Sequence, residues 1–383
     1  MKSKLPHTTT SIFSVMSAMA AKYGALNLSQ GFPNFEIDPL LSDLVAKAMR
    51  EGHNQYAPMP GLLPLREQIS AQTQAAHNKY YDPDSEITIT AGATQAIYTA
   101  ITALVHPGDE VILFAPAYDC YAPAVEIQGA KAVALQLQAP TYRIDWELVK
   151  EHITTKTRML VINSPHNPSG TLLSENDMLA LEQLVVEHDL LVLSDEVYQH
   201  IVFDGQTHYS AARFEGLAAR SVITASFGKT FHATGWKLGY CLAPKPLMEE
   251  IRKVHQYLVF SVNHPVQRAL ATYLEEPSHY SNLGSFYQQK RDTFLQGLEG
   301  TAFKAVPSGG TYFQMVDYSA ISSEGDIDFA ARLTQEYGLA AIPTSVFNKE
   351  ERNDHMLRFC FAKTDQTLAK AASILKQIQP QLA

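Results

Sequence analysis

The sequence predicts an α/β fold in which a parallel sheet is covered by helices on both faces and joined to a smaller domain assembled from both chain ends. Between about residues 86 and 245, short β-branched runs alternate with longer helical stretches, the pattern of βαβ units. The flanking residues, 1–40 and about 275–383, instead mix helical patterns with short strands and Pro/Gly turns. The chain has 383 residues, 46% hydrophobic and 18% charged, enough to bury a large core, and the composition excludes disordered and collagen-like chains.

In chain order, Ile12, Val15, Met16 and Met19 recur at helical spacing and predict an amphipathic surface helix. Serines interrupt this stretch, which argues against reading Lys2, Lys4 and the run behind them as a signal peptide. Strands are expected at Ile87 to Thr90, Glu110 to Phe114, Ala132 to Leu137, Thr157 to Asn163, Leu190 to Ser194, Val222 to Ser226 and Gly239 to Ala243. A connecting helix is expected near Lys245 to Glu276, and further strands at Gly310 to Met315 and Met356 to Cys360. The expected division is an N-terminal arm and part of the small domain over 1–40, a large domain with the connecting helix over 41–275, and a small C-terminal domain over 276–383.

Several classes are disfavoured at once. The 30 basic and 39 acidic residues leave a net charge of −9, without the attraction that nucleic acid or anionic lipid exerts on a protein. No run approaches the roughly 20 apolar residues of a membrane span. Cys120, Cys241 and Cys360 are too scattered for a disulfide framework and form no CxxC pair, which fits a reducing, cytoplasmic location. The 14 histidines include no HExxH and no zinc-spaced cluster, so no metal is expected.

In an open parallel sheet, ligands gather at the carboxyl ends of the strands, so polar residues just past the strands carry the most functional weight. Ser226-Phe227-Gly228-Lys229-Thr230 follows one strand. It is not a P-loop, because the first glycine of that motif would fall on Ile223, and no GxGxxG follows any strand. Lys229 therefore reads either as a solvated loop lysine or as a lysine made nucleophilic by burial, able to form an imine with an aldehyde cofactor. Asp195 follows the strand ending at Ser194 and reads as a helix cap or as the partner of a pyridine nitrogen. Asn163 to Gly170 is an irregular loop that can turn Asn167 inward, and Ala91-Gly92-Ala93-Thr94 opens a helix whose free N–H groups suit a phosphate.

The motifs Asn167-Pro168-Ser169-Gly170, Asp195-Glu196-Val197-Tyr198, Ser226 to Phe231 and Gly235-Trp236-Lys237-Leu238-Gly239, in this order, resemble the class I pyridoxal-phosphate aminotransferases of fold type I. With Gln30-Gly31-Phe32-Pro33 and Asn54-Gln55-Tyr56, the chain is similar to their kynurenine, glutamine and methionine branch. The resemblance implies a mostly parallel central sheet, pyridoxal 5'-phosphate as cofactor, amino acid and 2-oxo acid as substrates, and a homodimer with shared sites. Residue by residue, it implies that Lys229 binds the cofactor and moves the Cα proton, that Asp195 holds the ring nitrogen protonated, and that Tyr198 and Asn167 meet the ring's oxygen. Tyr118 would stack on the ring. The phosphate would lie between Ala93, Thr94, Ser226 and Lys237, with Tyr56 entering from a second subunit. Arg358 would clamp the substrate α-carboxylate in a two-bond grip, beside Gly31, Phe32 and Phe13. Lys237 departs from the arginine of many class members and agrees with the named branch.

No arginine matches the cation that an aspartate enzyme needs for a distal carboxylate. The matching segments offer Phe13, Phe32, Tyr56, Tyr257, Phe260 and Asn263. Such a wall favours large uncharged donors, methionine first, then aromatic residues, histidine or glutamine, with aspartate poor. The alternatives are β-lyase chemistry at the same site and a cofactor-sensing regulator, the latter lacking any basic extension to read DNA.

Overall fold

The computed structural model describes residues 3–6 and 8–380. A two-residue strand, β1 (Leu26–Asn27), precedes the main sheet. That sheet takes β2 (Ile87–Thr90), β3 (Glu110–Ala115), β4 (Lys131–Gln136), β5 (Thr157–Asn163), β6 (Leu191–Asp195), β7 (Ser221–Ser226) and β8 (Gly239–Leu242) in the order β2-β8-β7-β6-β5-β3-β4. Each of these strands lies where the sequence places it, with ends shifted by at most one residue. Only β8 runs against its neighbours, pairing antiparallel with both β2 and β7. The carboxyl ends of β2, β3, β5, β6 and β7 therefore share one edge, and β8 starts from it.

The strands are buried on both faces, as crossover helices require. Along β5 and β6, Leu160, Ile162 and Val192 pack into one hydrophobic cluster, while Met159, Val161, Leu191 and Leu193 pack into another on the opposite face. A third cluster joins Met16 and Leu28 to residues between Leu283 and Ile378, and also takes Tyr198, Ile201 and Phe203. Its sheet is β9 (Phe313–Asp317), β11 (Ile342–Pro343) and β12 (Met356–Cys360), with β12 in the middle, and β10 (Leu339–Ala340) pairs with β1.

Three expectations need correction. Lys245 to Glu276 is two helices, Lys245–Leu258 and His264–Tyr273, rather than one. Phe260 takes a left-handed φ of 67° just past the first helix, and Asn263 caps the second through the Val266 amide at 3.2 Å. Both helices pack in the clusters of the main sheet, and the longest helix, Leu283–Leu298, instead belongs to the third cluster. The strand expected from Gly310 starts at Phe313, because Thr311 takes a left-handed φ of 68° that cannot continue a ladder. In helix Ile12–Tyr23 the buried positions are Met16 and Ala20, flanked by Ile12, Phe13 and Met19, and Val15 faces outward.

Candidate active site

The shared edge of strand ends closes around a cavity of about 220 Å³. Lys229, Asp195, Tyr198, Asn167 and Arg358 line it. So do Ala93, Thr94, Tyr118, Ser226 and Lys237 on the side of helix Ala93–Leu104, and Gly31 and Phe13 from the N-terminal segment. Phe32 and Tyr56 do not. Phe32 is 43% exposed beneath the Lys363 ammonium, and Tyr56 is 80% exposed with its ring edge-on to Phe260. Tyr257 is 89% exposed and Asn263 is engaged as a helix cap, so of the expected side-chain wall only Phe13 reaches this chain's cavity.

Lys229 sits on the single helical turn Phe227–Thr230 that follows β7. Its Nζ donates to the Gly31 carbonyl at 3.4 Å. Burial, reinforced by the charges of Arg358 and Lys237, pushes its amine down to about 8. Asp195 ends β6 and is buried. Tyr121 donates its hydroxyl to Oδ2 and the Val197 amide donates to Oδ1 at 3.3 Å. Burial outweighs these bonds and raises the carboxyl to about 6. A carboxylate so placed is stabilised by any cationic N–H brought to it.

Asn163, the last residue of β5, fixes the loop beyond it, accepting from the Asn167 amide at 2.7 Å and donating Nδ2 to the Asp195 carbonyl at 2.8 Å. The Asn167 side chain is thereby delivered to Arg358, whose Nη1 donates to Oδ1 at 2.8 Å. Arg358 is fully buried in the middle of β12, with Nη2 on the Ser29 carbonyl at 3.2 Å and the Phe313 ring 3.8 Å from its guanidinium carbon. Its Nε is buried and has no hydrogen-bond partner. A buried guanidinium whose partners are an amide, a carbonyl and an aromatic face is a receptor for an anion.

At the opposite end, helix Ala93–Leu104 starts at Gly92 without a side-chain cap. Gly92 has φ +81°, and a Cβ there would meet Lys237 Nζ at 3.3 Å. Uncapped amides, a lysine and the Ser226 side chain make an anion cradle that a larger residue would fill. Burial raises the pKa of the Tyr118 hydroxyl, as it does for Tyr198.

Sequence reasoning missed Tyr121, Asn163, Phe313, Tyr312 and Lys363. Asn163 and Tyr121 carried a readable signal, one as the last residue of a strand and the other one helical turn beyond Tyr118. The others meet the site through contacts between distant segments, which no local pattern reveals.

The family model for aminotransferase class I and II matches residues 24–375. The methionine aminotransferase of Escherichia coli (strain K12) is 49% identical over 378 residues, which cover 98% of each chain. The kynurenine–oxoglutarate transaminase 3 of Homo sapiens is 33% identical across 94% of this chain and 86% of its own. Among solved structures, an Escherichia coli protein identified with a methionine aminotransferase function superposes with a TM-score of 0.96 at 49% identity, covering 98% of this chain and 99% of that one. N-succinyldiaminopimelate aminotransferase from Mycobacterium tuberculosis gives 0.95 at 37% identity, covering 99% and 100%.

Proposed function

This chain belongs to the class I and II aminotransferases, a pyridoxal-phosphate-dependent family, and from that premise we propose that it moves the amino group of a large uncharged amino acid, methionine favoured, to a 2-oxo acid. The observation that carries the reading is Arg358, a buried guanidinium that lines the same cavity as the amine of Lys229. Every amino acid and 2-oxo acid presents an α-carboxylate, and the planar fork of arginine matches it.

The residues fit the cofactor. The uncapped helix start with Lys237 and Ser226 suits its phosphate, and buried Asp195 suits a protonated ring nitrogen. When bound, pyridoxal phosphate supplies an aldehyde that takes the amino group and a ring that draws electrons from Cα. Lys229, with its lowered pKa, carries the proton away from Cα. Asp195 would hold a proton at the ring nitrogen, and Tyr121 holds Asp195. Tyr118 would stack on the ring, while Tyr198 and Asn167, which line the same cavity, would donate to its oxygen. Arg358 would hold the carboxylate in the cavity that Lys229 also lines.

Methionine preference is supported by the lining near Arg358, where Phe13 and Phe313 present apolar surface, and by the 49% identity to a methionine aminotransferase. A homodimer that places Tyr56 in the partner's site is supported by the exposed aromatic surface of Tyr56, Tyr257 and Phe260 on this chain. The free thiols of Cys120, Cys241 and Cys360 suit the cytoplasm, and among the described residues no helix is long and apolar enough to cross a membrane. Steady-state kcat/KM for methionine, phenylalanine, glutamine and aspartate with one common oxo acid tests the substrate reading. Methionine should lead, and a preference for aspartate would overturn it.

A further inference from the structure

The segment from Ser29 to Phe32 lies outside every strand, yet each of its carbonyls is held by a side chain. The Ser29 carbonyl accepts from Arg358 Nη2 at 3.2 Å. The Gly31 carbonyl accepts from the Tyr312 hydroxyl at 2.6 Å and from Lys229 Nζ at 3.4 Å. The intervening carbonyls, of Gln30 and Phe32, both accept from Lys363 Nζ, at 3.5 and 2.8 Å. The backbone bends at each of these residues, yet its carbonyls alternate in partner, those of Ser29 and Gly31 on one set of side chains and those of Gln30 and Phe32 on another. One edge of the segment therefore meets the residues of the active site, and the other meets a single lysine.

Lys363 is well placed to dictate that alternation. It is 2% exposed, and its ammonium faces the two carbonyls and the Phe32 ring, whose centroid is 4.8 Å away. It stands between the end of β12, the strand that carries Arg358, and helix Asp365–Leu375, so its backbone is anchored on both sides. The next residue, Thr364, extends the grip by donating its amide to Asn34 Oδ1 at 2.7 Å. A Cβ on Gly31 would come within 2.7 Å of the Phe313 ring, so the segment lies directly on the aromatic face that covers Arg358. A rotation of these peptides would move the Gly31 carbonyl away from Lys229 and the Ser29 carbonyl away from Arg358.

We propose that Lys363 is a positioning residue for this reaction: by holding the Gln30 and Phe32 carbonyls on one edge, it turns those of Ser29 and Gly31 toward Arg358 and Lys229. It thereby aligns the carboxylate clamp with the amine that carries the proton. The inference rests on the roles proposed above for Lys229 and Arg358.

The test uses the cofactor-loaded enzyme and its apoprotein with Lys363→Met and Lys363→Arg. Loss of two hydrogen bonds to a charged group should raise KM for both methionine and the oxo acid about tenfold and lower kcat less. Lys363→Arg should recover most of that loss. In the apoprotein of Lys363→Met, amide hydrogen exchange across residues 29–34 should quicken, while the main sheet stays protected. Should Lys363→Met fail to fold, Lys363→Gln, which keeps a donor for one carbonyl, is read by the same measurements. A folded variant with a lower melting temperature but normal KM values and normal exchange would make Lys363 merely structural and overturn the proposal. If wild-type enzyme shows no borohydride-reducible linkage at Lys229, the underlying assignment fails, a result read on a different protein from the Lys363 series.

Discussion

Arg358 donates through Nη1 to Asn167 Oδ1 at 2.8 Å, so the side chain expected at the ring oxygen and the one expected at the substrate carboxylate are joined to each other. Together with the Phe313 ring and the Ser29 carbonyl, this bond restricts the guanidinium to one orientation, which spares the ordering cost when a carboxylate arrives.

Arg358→Lys should therefore cost far more than a conserved charge suggests. A lysine offers a point charge and loses both the fork and the stacking on Phe313. We expect kcat/KM to fall by roughly two to three orders of magnitude, mostly through KM for both substrates. Asn167→Ala leaves Nη1 unpaired and should cost about tenfold. Steady-state kinetics with methionine and an oxo acid measure both, and a fall of less than about threefold for Arg358→Lys would take the carboxylate away from Arg358.

Lys229 gives a pH-dependent expectation. With its amine pushed down to about 8, roughly a tenth is neutral near pH 7, against well under a thousandth for an ordinary lysine. The rate at which apoprotein captures pyridoxal phosphate should climb with pH and level off above about pH 8, where the amine is already neutral. Growth of the visible absorption band in stopped-flow follows the reaction. Lys229→Ala should lose the band and any borohydride-reducible linkage. A capture rate still rising steeply at about pH 10 would show an unperturbed lysine.

How much of this was legible in the sequence depends on where each residue gets its position. Lys229, Asp195 and Asn167 stand just past or at the end of strands, and the parallel order of β5, β6 and β7 brings such positions to one edge. Their meeting follows from the period and spacing of the elements. Tyr312, Phe313 and Lys363 reach the site through contacts with the Ser29 to Phe32 segment, more than 280 residues earlier, and only packing decides those contacts. Tyr56 and Phe260 illustrate the converse. Their motif is readable, but a single chain leaves their rings on the surface.

Asp195 supplies a prediction in which stability and activity move in opposite directions. Its carboxyl is raised by burial from 3.8 to about 6 in the folded apoprotein. Between those two values the folded chain binds more protons than the unfolded one, so apoprotein stability falls as pH rises through that window and the loss is complete above it. Asp195→Asn removes the buried charge but keeps an oxygen to accept the Tyr121 hydroxyl. Above about pH 7 the apoprotein of Asp195→Asn should melt higher than wild-type apoprotein, and near pH 4, where the wild-type carboxyl is largely protonated, the two should converge. Loaded with pyridoxal phosphate, the order should reverse, because the ring nitrogen's proton then pairs with Asp195 in the wild type alone. Transamination by the variant should drop by at least about a hundredfold, since an unprotonated ring is a poor electron sink. Thermal melts of both proteins with and without cofactor at two pH values, alongside kcat, decide the matter. An Asn variant whose apoprotein melts lower than wild type at about pH 8, or whose kcat stays near normal, would remove Asp195 from the ring nitrogen.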